Sequence, residues 1–341
     1  MHPRVSFVDE ILGHAEKKFL KLVENENVEG LKLILKSKKQ INFDCCDYKG
    51  QRALDIAIKK RNIVLIEFLL QELQISVLHY YCALLSAVLE NDIYILEMLL
   101  NRIAKTNLES RLKGLVGGGA ECIRCLPEVA ASNLTPLMTA ALEGNIEITK
   151  MFLERGYKMK KPHSPKCCCD VCCKNRASTG ETLTESMSRM NAYRTLASPT
   201  YLILTSRDPV LAAFQLSYEL EHLSCDLPEN QKEYKDLSRQ CSNFASDLLD
   251  ECRTTDEVKT LLSRKFGCLD CRPLRLNRLL TAVDFRQKEF VTHPNCQQVL
   301  RSIWVEGLPW YCWTTRGRIV HVVKQSLLMP VICIAYVQRL T

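Results

Sequence analysis

Residues 133–157 read NLTPLMTAALEGNIEITKMFLERGY, which encodes two short helices joined by a tight turn. Thr135 is a helix-capping residue and Pro136 suits the first helical position. Ala140 and Ala141 are small enough to let paired helices approach closely. Gly156 supplies the positive φ that stops the second helix. Such a helix pair cannot bury its own apolar face and must stack on similar pairs. That requirement constrains the fold more than any other feature of the chain.

The register recurs upstream. Ala53, Leu54 and Ala57 match Pro136, Leu137 and Ala140, and Asn62, Leu65, Leu69 and Leu70 match Asn145, Ile148, Phe152 and Leu153. Ala87, Asp92, Ile95, Leu99 and Leu100 repeat the pattern, as do Asn27, Ile34 and Leu35 with weaker small-residue matches. Turn positions 27, 62, 92 and 145 lie 35, 30 and 53 residues apart. A period of about 33 residues with a TPL-type start is the ankyrin pattern, so about four ankyrin repeats are expected over residues 15–157. The long last gap carries an insertion, including GLVGGGAECIRC, that reads as a loop. A stack of this kind brings no catalytic machinery; its concave face commonly binds protein.

Past the stack, residues 163–173 hold one histidine and five cysteines in eleven positions. The chain has eighteen cysteines and an N-terminus without the apolar run of a signal peptide, so reduced thiols are expected rather than a disulfide framework. His163, Cys167, Cys169 and Cys172 have the spacing H-x3-C-x-C-x2-C. Three thiolates and one imidazole make a closed tetrahedral zinc site, structural rather than catalytic. Such a site adds on the order of 10 kcal/mol to the order of a short loop. Lys160, Lys161, Lys166 and Lys174 would offset part of the thiolate charge. The chemistry also admits a redox-sensitive thiol cluster, since nearby cations lower thiol pKa, or neither role. Cys168 and Cys173 are alternative ligands or spare thiols. The isolated pairs Cys122/Cys125 and Cys268/Cys271 read as ordinary loop cysteines.

The rest is helical in pattern after a polar loop over residues 175–188. Asp208 and Pro209 form a cap and first-turn pair, and Thr254 with Glu257 a capping box. Tyr234, Leu237, Cys241, Phe244 and Leu248 form a seam at alternating spacings of three and four. Further helices run through LRLNRLLTAVDFRQKEF and PNCQQVLRSIW. No phosphate loop, nucleophile elbow or paired-carboxylate signature stands out, so the chain does not read as an enzyme. A net charge of +7 without an aromatic-interleaved basic stripe gives no basis for a nucleic-acid partner.

The last apolar run, SLLMPVICIAYV at residues 326–337, is twelve residues long with Pro330 inside it. It is too short to span a bilayer. Trp304, Trp310, Tyr311 and Trp313 precede it, and Arg316, Arg318 and Lys324 flank its N-terminal side. That arrangement suits an element lying at a membrane interface, its cations on the cytoplasmic face. A helix packed on its neighbours is the other reading.

The order of segments is repeats, PHSPKCCCDVCC, SRMNAYRTLASPTYLILTSRDPVLAAFQLSYELEHL, LSRQCSNFASDLLD, then RQKEFVTHPNCQQVLRSIWVEGLPW and a short apolar elbow. It resembles the cytosolic N-terminal half of TRPC-type transient receptor potential cation channels over about residues 15–337. The resemblance implies an all-α fold in four parts. These are ankyrin repeats (15–157), a Cys/His zinc-binding loop (158–188), a linker-helix domain (189–290), and a pre-S1 helix with a membrane elbow (291–341). It implies structural zinc on His163, Cys167, Cys169 and Cys172, with Cys168 and Cys173 as bystanders. It further implies a role in a calcium-permeable, receptor- or store-operated channel at the plasma membrane. The expected partners are other subunits of a tetramer, the inner membrane leaflet through the elbow, and regulatory proteins on the ankyrin face. Six transmembrane helices and the pore follow this region in the family; a chain that stops at Thr341 lacks them and cannot conduct ions by itself. The segment SRKFGCLDCRPLRLNR and the loop after the third repeat depart from the family's usual lengths. A soluble ankyrin adaptor, or a short form that binds full-length subunits, is the alternative.

Overall fold

The computed structural model describes residues 13–36, 42–106 (except 44, 48 and 74), 110, 112, 134–163, 167, 183–263, 276–305 and 315–340. Every regular element among them is helical, with one isolated bridge between Cys46 and Arg52. The chain divides into two compact units, Met1–Cys241 and Ser242–Thr341.

The first unit opens with helix pairs α1 (His14–Glu24) and α2 (Val28–Lys36), then α3 (Ala53–Lys59) and α4 (Ile63–Glu72). Next come α5 (Val77–Leu89) with α6 (Ile93–Ala104), and α7 (Pro136–Leu142) with α8 (Ile146–Glu154). First helices stack in order, α1 on α3, α3 on α5 and α5 on α7. Ala57, Ala87 and Ala140, the small residues shared by the repeats, are fully buried where these helices meet. Around them Phe19, Leu54, Leu65, Leu84, Leu99, Leu137 and Phe152 form one continuous apolar core.

The same turn joins each pair. Glu26, Arg61, Asn91 and Gly144 take positive φ of 56, 54, 52 and 77°. The next residue donates its N–H five residues back, Asn27 to Leu22, Asn62 to Ala57, Asp92 to Ala87 and Asn145 to Ala140, at 3.0–3.3 Å. Asn62 and Asp92 then cap the second helix, their Oδ1 accepting from Leu65 and Ile95 N–H at 3.0 and 3.1 Å. Asn145 makes no such side-chain cap. Thr135 caps α7 through Met138 N–H, with Pro136 at the first helical position, and Gly156 closes α8 at φ 82°.

Helices α9 (Leu183–Leu196) and α10 (Pro199–Thr205) pack on the last pair, α9 on α7 and α10 on α8. Helix α9 begins inside the segment expected to be a polar loop up to residue 188. Its apolar residues do not line up on one face, so the sequence shows no helical period there. Then follow α11 (Pro209–Asp226), capped by Asp208 on Leu211 N–H at 3.1 Å, and α12 (Gln231–Asp250). In the α12 seam Tyr234, Leu237, Cys241 and Phe244 are buried as expected. Its next fully buried members are Ala245 and Leu249, with Leu248 half-buried, because a helix period of 3.6 drifts from a strict three-four spacing.

The second unit carries α13 (Thr255–Ser263), α14 (Asn277–Asp284), α15 (Lys288–Thr292), α16 (Pro294–Val305) and α17 (Thr315–Leu340). The Thr254/Glu257 capping box forms in both directions at 3.2 Å. Helix α13 packs on α14 and α16, and α15 on both of its neighbours. Where the sequence suggests a short element interrupted at Pro330, α17 runs unbroken for 26 residues. One missing backbone donor does not stop a helix that has several turns on each side of it.

Candidate metal centre

The segment entering the Cys/His cluster is held in place before it reaches the first donor. After Gly156 the chain is extended, with Tyr157 and Met159 buried and Lys158 and Lys160 exposed. This is the alternation of an extended strand laid on a surface. Tyr157 packs edge-on against Phe152 with ring centroids 5.5 Å apart. Met159 N–H donates to Tyr201 Oη on α10 at 3.2 Å. Lys161 Nζ pairs with Glu219 Oε2 on α11 at 2.5 Å. The other oxygen, Oε1, accepts from the buried Tyr193 hydroxyl on α9 at 2.9 Å. Burial raises the pKa of both Tyr193 and Tyr201, and the Glu219 charge raises that of Tyr193 further, so both hydroxyls stay protonated, Tyr193 as donor to Glu219 and Tyr201 as acceptor from Met159.

Pro162 follows, with its φ fixed by the ring, and then His163. His163 is exposed and Cys167 half-buried, and their Nδ1 and Sγ lie 3.4 Å apart. Two ligands of one tetrahedral zinc, at about 2.05 Å for nitrogen and about 2.3 Å for sulfur, stand roughly 3.5 Å apart. The pair is therefore spaced for a shared ion, and the same distance serves a hydrogen bond to sulfur. Cys169 and Cys172, the other two expected donors, lie outside the described residues, as do Cys168, Cys173, Cys122, Cys125, Cys268 and Cys271. Among the described residues no group of three His, Cys, Asp or Glu side chains is placed to hold a metal.

Sequence reasoning named His163 and Cys167 as candidate donors but not the residues that brace the segment leading to them. Tyr193, Tyr201 and Glu219 sit inside segments singled out above, yet no spacing rule links them to residue 159 or 161. The available signal is weaker: a buried tyrosine hydroxyl needs a partner.

Two further features can be placed. His222 lies on the exposed side of α11, its ring edge-on to Tyr218 at 4.4 Å. On α17, Ile319, Val320, Val323, Leu327 and Leu328 are between 41 and 75% exposed and line one apolar trough with Lys324. None of the described helices is long and apolar enough to cross a membrane. Trp310, Tyr311 and Trp313 lie outside the described residues, and Trp304 is 83% exposed.

Comparison with known proteins places these features in context. The family profile described as Transient receptor ion channel II matches residues 167–235, a stretch that contains Cys167, Cys169, Cys172 and Glu219. The Transient-receptor-potential-like protein of Drosophila melanogaster is 35% identical over 328 residues, which is 94% of this chain and 28% of that protein. Its Caenorhabditis elegans counterpart is 32% identical over 343 residues, 96% of this chain and 32% of that protein. Short transient receptor potential channel 4 of Homo sapiens is 35% identical over 348 residues, 98% of this chain and 34% of that protein. The chain thus spans about a third of the length of these relatives.

Proposed function

The chain belongs to the TRPC-type transient receptor potential family, and we propose that it is the cytosolic assembly and regulatory region of a calcium-permeable cation channel. Similarity along nearly all of its length to proteins of that family carries the proposal. In this reading residues 15–157 are an ankyrin stack, supported by four helix pairs that share one turn geometry. Residues 158–188 form a zinc loop, 189–290 a linker-helix domain and 291–341 the approach to the membrane. Neighbouring subunits of a tetramer and regulatory proteins pack on the stack and linker helices. The apolar trough of α17, with Arg316 exposed before it and Lys324 exposed within its lining, faces the inner leaflet of the plasma membrane.

Zinc bound by His163, Cys167, Cys169 and Cys172 would act as a structural cross-link with no open position for chemistry. The 3.4 Å spacing of the first two donors supports it. The protein's own contribution is to present the imidazole on a braced arm.

Co-expression tests the assembly reading. The chain and tagged human Short transient receptor potential channel 4 should co-purify after detergent extraction, and calcium entry through the channel should change. A folded chain that never co-purifies would contradict the proposal.

A further inference from the structure

The zinc reading leaves Glu219 without a role, yet its carboxylate ties the arm to α9 as well as to its own helix α11. Oε2 holds Lys161, two residues before His163, and Oε1 is held by Tyr193. Tyr193 is itself fixed, 1% exposed and packed edge-on to Tyr234 at 6.0 Å. The Glu219 side chain is 30% exposed and the Lys161 side chain 62%, so the ion pair itself adds little to fold stability. Its consequence is positional. Met159 is pinned through its N–H to Tyr201, Lys161 through its side chain, and Pro162 stiffens the one residue between Lys161 and His163.

We infer that Glu219 is a positioning residue for the metal centre, setting the His163 imidazole through Lys161 while Tyr193 fixes the carboxylate. The inference rests on the zinc reading above. It assigns α11 a part in metal binding although α11 supplies no ligand. Groups that orient metal ligands without touching the ion commonly govern affinity.

Zinc competition with a chromophoric chelator tests it on the full chain, comparing Lys161→Met, Lys161→Arg and Glu219→Gln with the unaltered protein. Lys161→Met and Glu219→Gln should weaken zinc binding about tenfold while keeping one ion per chain at saturation. Lys161→Arg, which keeps the charge and reach, should restore most of the affinity. Cobalt substitution should give the same thiolate-to-cobalt absorption in all four proteins, since the ligands are unchanged. Unchanged affinity in Lys161→Met, a change at an exposed side chain that leaves folding intact, would overturn the inference while leaving the zinc reading in place. Unaltered chain that binds no zinc would overturn both.

Discussion

Asp55 of α3 and Ser86 of α5 are hydrogen-bonded across successive helix pairs, Ser86 Oγ donating to Asp55 Oδ1 at 3.0 Å. Asp55 Oδ2 accepts from Arg52 N–H at 3.1 Å and so also caps its own helix. Asp55 is 1% exposed. A buried carboxylate with two donors ties successive helix pairs together through a polar contact.

Burial raises the Asp55 pKa, and the bonds from Arg52 and Ser86 only partly oppose that. A raised carboxylate pKa means the folded state holds its proton more tightly than the unfolded chain. Stability from this group is therefore fully present below the unfolded value near 3.8 and is lost as pH rises through the folded value. Asp55→Asn keeps an acceptor for Arg52 and a donor for Ser86 without the charge. Thermal unfolding across mildly acidic pH should show the original chain losing stability relative to Asp55→Asn as pH rises. Asp55→Ala should cost about 1–3 kcal/mol at acidic pH, because two buried donors lose their acceptor, and less as pH rises.

The shared turns predict unequal costs for equivalent residues. Asn62→Ala should destabilise by about 1 kcal/mol, since it removes a helix cap. Asn62 Nδ2 also donates to Glu26 Oε2 at 2.7 Å. Asn145→Ala should cost measurably less, because Asn145 makes no side-chain cap. Chemical denaturation of the two variants decides it; equal losses would contradict the turn geometry.

Ala140 is fully buried where α7 meets its neighbours. Ala140→Leu should lower stability by about 1–3 kcal/mol through overpacking. Ala140→Gly should also destabilise, through helix propensity, by about 1 kcal/mol. Denaturant midpoints of the two variants measure both losses.

Thiol reactivity should sort by burial. Cys241 and Cys296 are fully buried, and burial pushes their thiols up to about 12. At neutral pH both should resist iodoacetamide until the chain is denatured, whereas the exposed Cys225 should react at once. Cys167 should react only after chelation if it carries zinc. Peptide mass mapping reads all four.

The stack was legible in the sequence because its small and apolar residues repeat at fixed offsets, and Thr135, Asn62 and Asp92 announce helix starts. The Asp208 and Thr254 caps were legible for the same reason. The start of α9 was not, because Thr184, Glu185, Ser186 and Ser188 make its first turns polar. Asp55 was invisible as a contact, since its partner Ser86 lies a repeat away and nothing in either local pattern pairs them. Donor spacing alone named His163 and Cys167, which lie 3.4 Å apart, whereas Cys169 and Cys172 lie outside the described residues. The Tyr201 and Glu219 braces depend on the fold bringing α10 and α11 to the arm.

The role of the braced arm turns on whether His163, Cys167, Cys169 and Cys172 close on one ion. Native mass spectrometry of the purified full chain measures this directly, before and after chelation and in a Cys169→Ser/Cys172→Ser variant. A closed site gives a mass excess of one zinc per chain, lost on chelation and absent from the variant, with cleavage by protease opening near residue 163 once the metal is gone. A metal-free chain with the same protease pattern throughout would contradict it.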